Sequence, residues 1–254
     1  MFVLIRAESE HPASVGILKE REVRKMARTI LALMIAVVLC IGVAGVSHAT
    51  TYSGALQYAP PLDAGDGLIV APEGKTWPGY TESIAWTITN ENAITGFPWQ
   101  YTYTWQHGGT QSGLSHLIIE VSSGFAAADM SGLTGSSVVS IGEQKVSSGN
   151  PGMPADMDNG IRFGPLTPSP FNMTWSFWSN RAPVWGDFYA RDGGANYSWN
   201  AGFLNEDPAG SPSNGTIGNK ILRPDGAVVP EPSSLIALLG GLGACGSLVI
   251  RKRK

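Results

Sequence analysis

Two histidines, His107 and His116, and fifteen carboxylates are the groups between residues 50 and 230 whose types suit acid–base chemistry. A Ser-His-Asp hydrolase needs a histidine beside its nucleophile. His107 opens a Gly-Gly turn, His116 alternates with apolar residues as a strand position does, and no serine sits in a Gly-x-Ser-x-Gly setting. Glycoside hydrolysis needs two carboxylates flanking a cleft, and the spacing of the fifteen singles out no pair. A secreted glycoside hydrolase is thus the weakest of three readings, and the expectation is a protein without enzymatic activity or cofactor. Asp156-x-Asp158-Asn159-Gly160 places oxygens on alternate residues, as calcium loops do. The twelfth position is Thr167 rather than a glutamate, and the glycine comes one place early. Asp156 and Asp158 are candidate metal ligands, set against the simpler reading of an acidic turn entering Ile161-Arg162-Phe163. Gly241-x-Gly243-x-x-Gly246 has dinucleotide-fingerprint spacing, but it lies in an apolar run at the chain end without the βαβ context that motif needs.

Eight tryptophans offer a second kind of chemistry: Trp77, Trp86, Trp99, Trp105, Trp175, Trp178, Trp185 and Trp199. Exposed aromatic rings stack on sugars, whereas alternating ones fill a core. Trp178 breaks the alternation of its segment. With Trp185, it is the candidate for glycan binding, and a glycan-binding module is the second reading.

The elements that carry these residues read as strands. Trp99, Tyr101, Tyr103 and Trp105 alternate with Gln100, Thr102, Thr104 and Gln106. Ile84, Trp86 and Ile88 do the same, as do Met173, Trp175 and Phe177, and Leu117, Ile119 and Val121. Such spacing gives each strand one buried and one wet face. Turn clusters separate them, including Gln106–Thr110, Ser147–Gly152 and Arg191–Gly194. The pattern predicts an all-β fold, an antiparallel β-sandwich of jelly-roll type over 50–204. Strands are expected near 67–71, 82–90, 99–106, 114–122, 136–146, 160–164, 171–179, 184–191 and 197–204, with a short helical turn within 125–135. Residues 205–228, rich in Pro, Gly and Asn, read as a linker.

Charge is segregated along the chain. Residues 50–230 hold seven Lys/Arg against fifteen Asp/Glu, while the last four residues are all basic. An acidic domain repels phosphate backbones, so nucleic acid is not an expected partner. Both cysteines, Cys40 and Cys245, fall in the apolar end segments. The domain between therefore has no disulfide and no thiol nucleophile.

The two ends carry targeting signals. Arg24, Lys25 and Arg28 precede the apolar run 29–46, and Ser47-His48-Ala49 supplies a small-x-small cleavage site. Residues 26–49 read as a signal peptide cleaved after Ala49, and 1–25 as an extension ahead of a start at Met26. At the other end, Val229-Pro230-Glu231-Pro232 precedes Ser233–Ile250, an uncharged stretch about 27 Å long as a helix. Arg251-Lys252-Arg253-Lys254 follows as a cytoplasmic stop, leaving the domain outside.

Over 229–254 these residues resemble the PEP-CTERM sorting signal: Val-Pro-Glu-Pro, an apolar helix and a basic end. The resemblance implies a Gram-negative, exopolysaccharide-producing host and export through the Sec machinery. It also implies recognition of Pro230, Glu231 and Pro232 by exosortase, a membrane-embedded cysteine transpeptidase or protease. The expected product is an envelope or matrix protein, held in the inner membrane by its C-terminal helix and then sorted to the cell surface, with exopolysaccharide as a candidate partner.

Overall fold

The computed structural model describes residues 23–30, 49–58, 67–77, 79, 82–108, 113–164 and 172–228. The chain divides into two compact units, Met1–Ser47 with Pro232–Lys254, and His48–Glu231. In the first, residues 23–30 form an exposed helix. Among the described residues no helix is long and apolar enough to cross a membrane. Ser47, the sorting motif Val229–Pro232, the apolar stretch 233–250 and the basic end Arg251–Lys254 lie outside the described residues, and Ala49 is exposed.

The second unit is all-β. Its strands are β1 (Thr51–Tyr58), β2 (Leu68–Val70), β3 (Ser83–Thr89), β4 (Trp99–Gln106), β5 (Leu114–Glu120), β6 (Met130–Thr134), β7 (Val138–Gln144), β8 (Met157–Phe163), β9 (Asn172–Ser179), β10 (Arg181–Gly186), β11 (Phe188–Asp192), β12 (Tyr197–Asn200) and β13 (Ile221–Val228). A 3₁₀ turn at Ala127–Asp129 leads into β6. Eleven strands form one sheet in the order β6-β9-β4-β3-β1-β2-β12-β11-β5-β8-β7, and β10 pairs with β13 in a separate ribbon.

The sheet curls so that its two halves share one core. Phe163 of β8 packs on Trp175 of β9 with ring centroids 5.8 Å apart, although eight places separate these strands in the order. Tyr103 stacks on Trp175 at 5.6 Å and Tyr101 on Phe177 at 5.4 Å. The alternation of β4 thus puts its tyrosines and Trp105 inside, as bulky aromatics favour. One curled sheet supplies both faces of the core where the sequence predicts two sheets, and β1 and β2 run parallel rather than antiparallel.

Three sequence expectations are corrected. The strand expected at 184–191 is two strands, β10 and β11, in different sheets, with Asp187 at the switch. The expected linker 205–228 contains β13, in which Ile221 and Leu222 are fully buried. Pro224 is tolerated there because a two-stranded ribbon consists only of edges, and it lies opposite Pro183. Finally, β5 is not wet on one side. Ile118 sits with Met153, Met157, Tyr189 and Phe203 in a second apolar cluster on the outer face. The segment between β7 and β8 covers it, tied down by Tyr189 Oη donating to the Pro151 carbonyl at 2.8 Å and by Arg191 Nη1 donating to those of Ser148 and Gly149 at 2.9 and 2.7 Å.

Candidate functional site

The sheet switch at Asp187 builds the most heavily charged interior in the domain. Leaving one sheet for another strands backbone N–H groups, which must find partners when buried. The N–H of Asp187 donates to Glu120 Oε2 at 3.0 Å, and that of Phe188 donates to Asn200 Oδ1 at 2.9 Å. The N–H of Glu120 donates in return to the Asp187 carbonyl at 3.0 Å. Side chains at the ends of β5 and β12 therefore complete the turn between β10 and β11.

Two cations come from the segment expected to be a linker. Lys220 is 1% exposed, and its Nζ lies 2.9 Å from Asp187 Oδ1 and 2.9 Å from Asp207 Oδ1. It also donates to Asp187 Oδ2 at 3.0 Å and to the Asn205 carbonyl at 2.7 Å. Arg223 donates from Nη2 to Asp207 Oδ2 at 2.9 Å, from Nη1 to Asp225, and approaches Glu120 Oε2 with Nε at 3.5 Å. Local geometry sets these positions. Asn219 adopts φ +59°, a conformation asparagine tolerates, and its Oδ1 accepts the N–H groups of Gly67 and Leu68 at 2.7 and 2.8 Å. Glycine gives the cations room. A Cβ at Gly186 would stand 1.8 Å from Arg223 Nε, and one at Gly202 would meet the Gly218 carbonyl oxygen at 2.0 Å.

Burial pushes the Asp187 carboxyl up to about 7, against the lowering effect of its hydrogen bonds from Asn200 and Lys220. Burial likewise raises Glu120, although Arg223 opposes it. Burial alone would lower the Lys220 ammonium. Its hydrogen bonds to Asp187 and Asp207 outweigh that and leave it above its ordinary value.

A cavity of about 370 Å³ opens beside this network, lined by Glu120, Asp156, Asp158, Asp187, Glu206 and Asp207 together with Met157 and Phe203. The structure therefore brings Asp156 and Asp158 to the wall of an acidic cavity. Asp156 Oδ1 accepts the N–H of Val146 at 2.7 Å, and Asp158 lies within β8 rather than in a cation-wrapping loop. Among the described residues, the carboxylates close enough to share a cation are Glu120, Asp187 and Asp207. Lys220 and Arg223 already pair with these three, so in this structure the cluster is an ion-pair network.

At the other end of β5, His116 is 1% exposed. Its Nε2 donates to Asn150 Oδ1 at 3.1 Å, and its Nδ1 accepts from Arg162 Nη2 at 3.1 Å. Burial, then the Arg162 charge, lowers its pKa to about 4. The ring is held neutral, with both nitrogens committed to structural bonds. His107 is buried against Trp77, ring centroids 5.8 Å apart.

The tryptophan candidates separate. Trp185 is 1% exposed in the main core, so it offers no sugar-stacking face and leaves the glycan assignment. Strand β10 belongs to the inner ribbon, a fact its local alternation does not reveal. Trp178 is half-buried on β9, opposite Gln100 of β4 and Ser131 of β6. It shares that face with polar cross-strand pairs, including Thr104–Thr174 and Thr134–Ser176, both 2.9 Å between hydroxyl oxygens.

Sequence reasoning missed Glu120, Asp187, Asp207, Lys220 and Arg223. Their one sequence signal is the pair of cations, Lys220 and Arg223, in a C-terminal stretch whose other charges, Glu206, Asp207 and Asp225, are all acidic. Comparison with protein-family models, curated proteins and solved structures yields no match for this chain. What the molecule does therefore rests on its own residues.

Proposed function

We propose that this chain is an exported envelope or matrix protein, sorted to the surface by exosortase acting at Val229-Pro230-Glu231-Pro232, and without catalytic activity of its own. The observation that carries this is the order of segments at the end of the chain. Strand β13 closes at Val228, and the next four residues in the sequence are Val229-Pro230-Glu231-Pro232. Ser233–Ile250 without a charge and Arg251–Lys254 follow, an arrangement that suits a membrane stop with the domain outside. The signal peptide through Ala49 provides export by the Sec machinery. The facing halves of the β-domain, jelly-roll-like on this proposal, form a cargo that the tail delivers and then releases. Commitment of both His116 nitrogens to Asn150 and Arg162 supports a non-catalytic domain.

The test is Glu231→Ala in the full chain, with an epitope in an exposed loop of the domain and fractionation of the producing cells. The expected outcome is a membrane-retained precursor in the variant and a shorter, released form in the parent. Equal release from both would remove the motif's role, and full-length parent protein in the cytoplasm would remove export.

A second reading has one observation in its favour. Trp178 lies half-buried on a strand face lined by threonine and serine hydroxyls, the mixture of apolar ring and hydrogen-bonding groups that suits a sugar chain. Binding to exopolysaccharide from the producing cells should fall at least tenfold in Trp178→Ala. Unchanged binding, or none in the parent, would discard this reading.

A further inference from the structure

The buried charge network contains one grouping that ion pairing alone does not account for. Lys220, Asn200 and Asp187 are 1%, 0% and 7% exposed. Asn200 Nδ2 donates to Asp187 Oδ1 at 2.6 Å, and Lys220 Nζ lies 2.9 Å from that same oxygen. A primary amine and a primary carboxamide thus meet on one carboxylate oxygen, inside the protein. The carboxamide oxygen is also engaged, because Asn200 Oδ1 accepts the Phe188 N–H at 2.9 Å. That donor polarises the carbonyl and would stabilise charge developing on its oxygen.

We propose that Lys220 and Asn200 become joined by an intramolecular isopeptide bond, with Asp187 as the proton relay. A lysine proton passes to Asp187, which frees the amine lone pair. The amine attacks Cγ of Asn200 and forms the Nζ–Cγ bond, the oxyanion facing the Phe188 N–H. Asp187 then delivers a proton to Nδ2, the Cγ–Nδ2 bond breaks, and ammonia departs. The remaining lysine proton in excess leaves with it as ammonium, and Asp187 ends ionised as it began. No oxidant, reductant or cofactor enters the balance.

Position favours this step more than acidity does. An amine is a nucleophile once it has lost its proton, and Lys220, which Asp187 and Asp207 hold above its ordinary value, sheds it to the adjacent Asp187. The carboxyl that takes the proton is the one burial drives up to about 7. Fixed partners replace a chance encounter, which is what makes a slow amide exchange feasible within one molecule. Asp207 and the Asn205 carbonyl hold Lys220 as well, so the amine has to exchange those contacts for Cγ as it reacts. The bond would tie the end of β12 to the residue just before β13, in a domain with no cysteine to do so.

Tryptic mapping of the denatured full chain, recovered from producing cells, decides the matter. A linked lysine is no longer a cleavage site, and Arg223 precedes a proline. The expected peptide therefore begins at Asp192, runs uncut past Lys220, and weighs one ammonia less than its sequence. Cleavage after Lys220 with unchanged mass overturns the proposal. So does ammonia loss with normal cleavage after Lys220, which marks a succinimide at Asn200. So does a mass lower by one water, which places the bond on a carboxylate. Asp187→Asn, shown to be folded by its circular dichroism, should leave Lys220 cleavable. A linked peptide in that variant would exclude Asp187 as the relay.

Discussion

Strand β5 buries charge at both ends of its outer face, and the two ends solve the problem differently. At His116 the solution is neutrality: burial and Arg162 keep the imidazole uncharged, and hydrogen bonds to Asn150 and Arg162 fix its tautomer. At Glu120 the solution is pairing: Lys220 and Arg223 stand among Glu120, Asp187, Asp207 and Asp225. Between them Ile118 anchors an apolar cluster. A titratable ring can shed its charge cheaply, whereas a lysine held by two carboxylates retains it. The second arrangement therefore depends on every partner being present.

The contrast is broken most severely by Lys220→Met. Removing the ammonium leaves the buried Asp187 without its cation and the exposed Asp207 with Arg223 alone, and the expected loss, carried by Asp187, is about 3–5 kcal/mol, read from urea unfolding at neutral pH. A loss below about 1 kcal/mol would mean that the network rearranges freely.

The pH dependence sharpens the comparison. Asp187, raised from 3.8 to about 7, contributes stability that is complete below 3.8 and is lost as pH climbs through 7. His116, lowered from 6.5 to about 4, contributes stability that is complete above 6.5 and is lost as pH falls through 4. The two slopes oppose each other across this window. In Asp187→Asn the histidine slope is opposed only by the raised carboxyls of Glu120 and Glu82, and stability should rise by at most about 3 kcal/mol from pH 4 to 6.5. In His116→Gln it should instead fall as pH rises. Denaturation midpoints at four or five pH values would show this, and identical profiles in both variants would contradict the assignment.

The smallest effect is expected away from both ends. Trp178→Ala removes a half-buried ring from the outer face of β9, and the cost should be about 1 kcal/mol in thermal unfolding. Trp175→Ala, one layer in, should cost about 3–5 kcal/mol.

Much of the sheet was legible because its signal is local. Trp99 to Gln106 alternates without exception and forms β4 over those same residues, paired in full register with β9. The register needs no distant information, since one slipped residue would turn every aromatic outward. Strand β1 escaped notice because Ser53, Gly54 and Ala55 dilute its alternation. Strand β13 escaped because Pro224, Asp225 and Gly226 have linker composition, and only the edge position beside β10 makes them tolerable. Of the charged network, only the pair of cations Lys220 and Arg223 left a trace in the sequence. Glu120 and Arg223 meet across a hundred residues of chain, and nothing near either one announces the other. Trp185 was misplaced for a related reason: whether an aromatic in a two-stranded ribbon faces water depends on what the curled sheet encloses.

The end of β13 at Val228 also has a mechanical side. Any tension on the residues that follow enters the domain along this strand, whose partner is β10 alone. The load runs in shear through the β10–β13 hydrogen bonds until it reaches Arg223 and Lys220. Those two side chains act as the cleats on which the strand is moored.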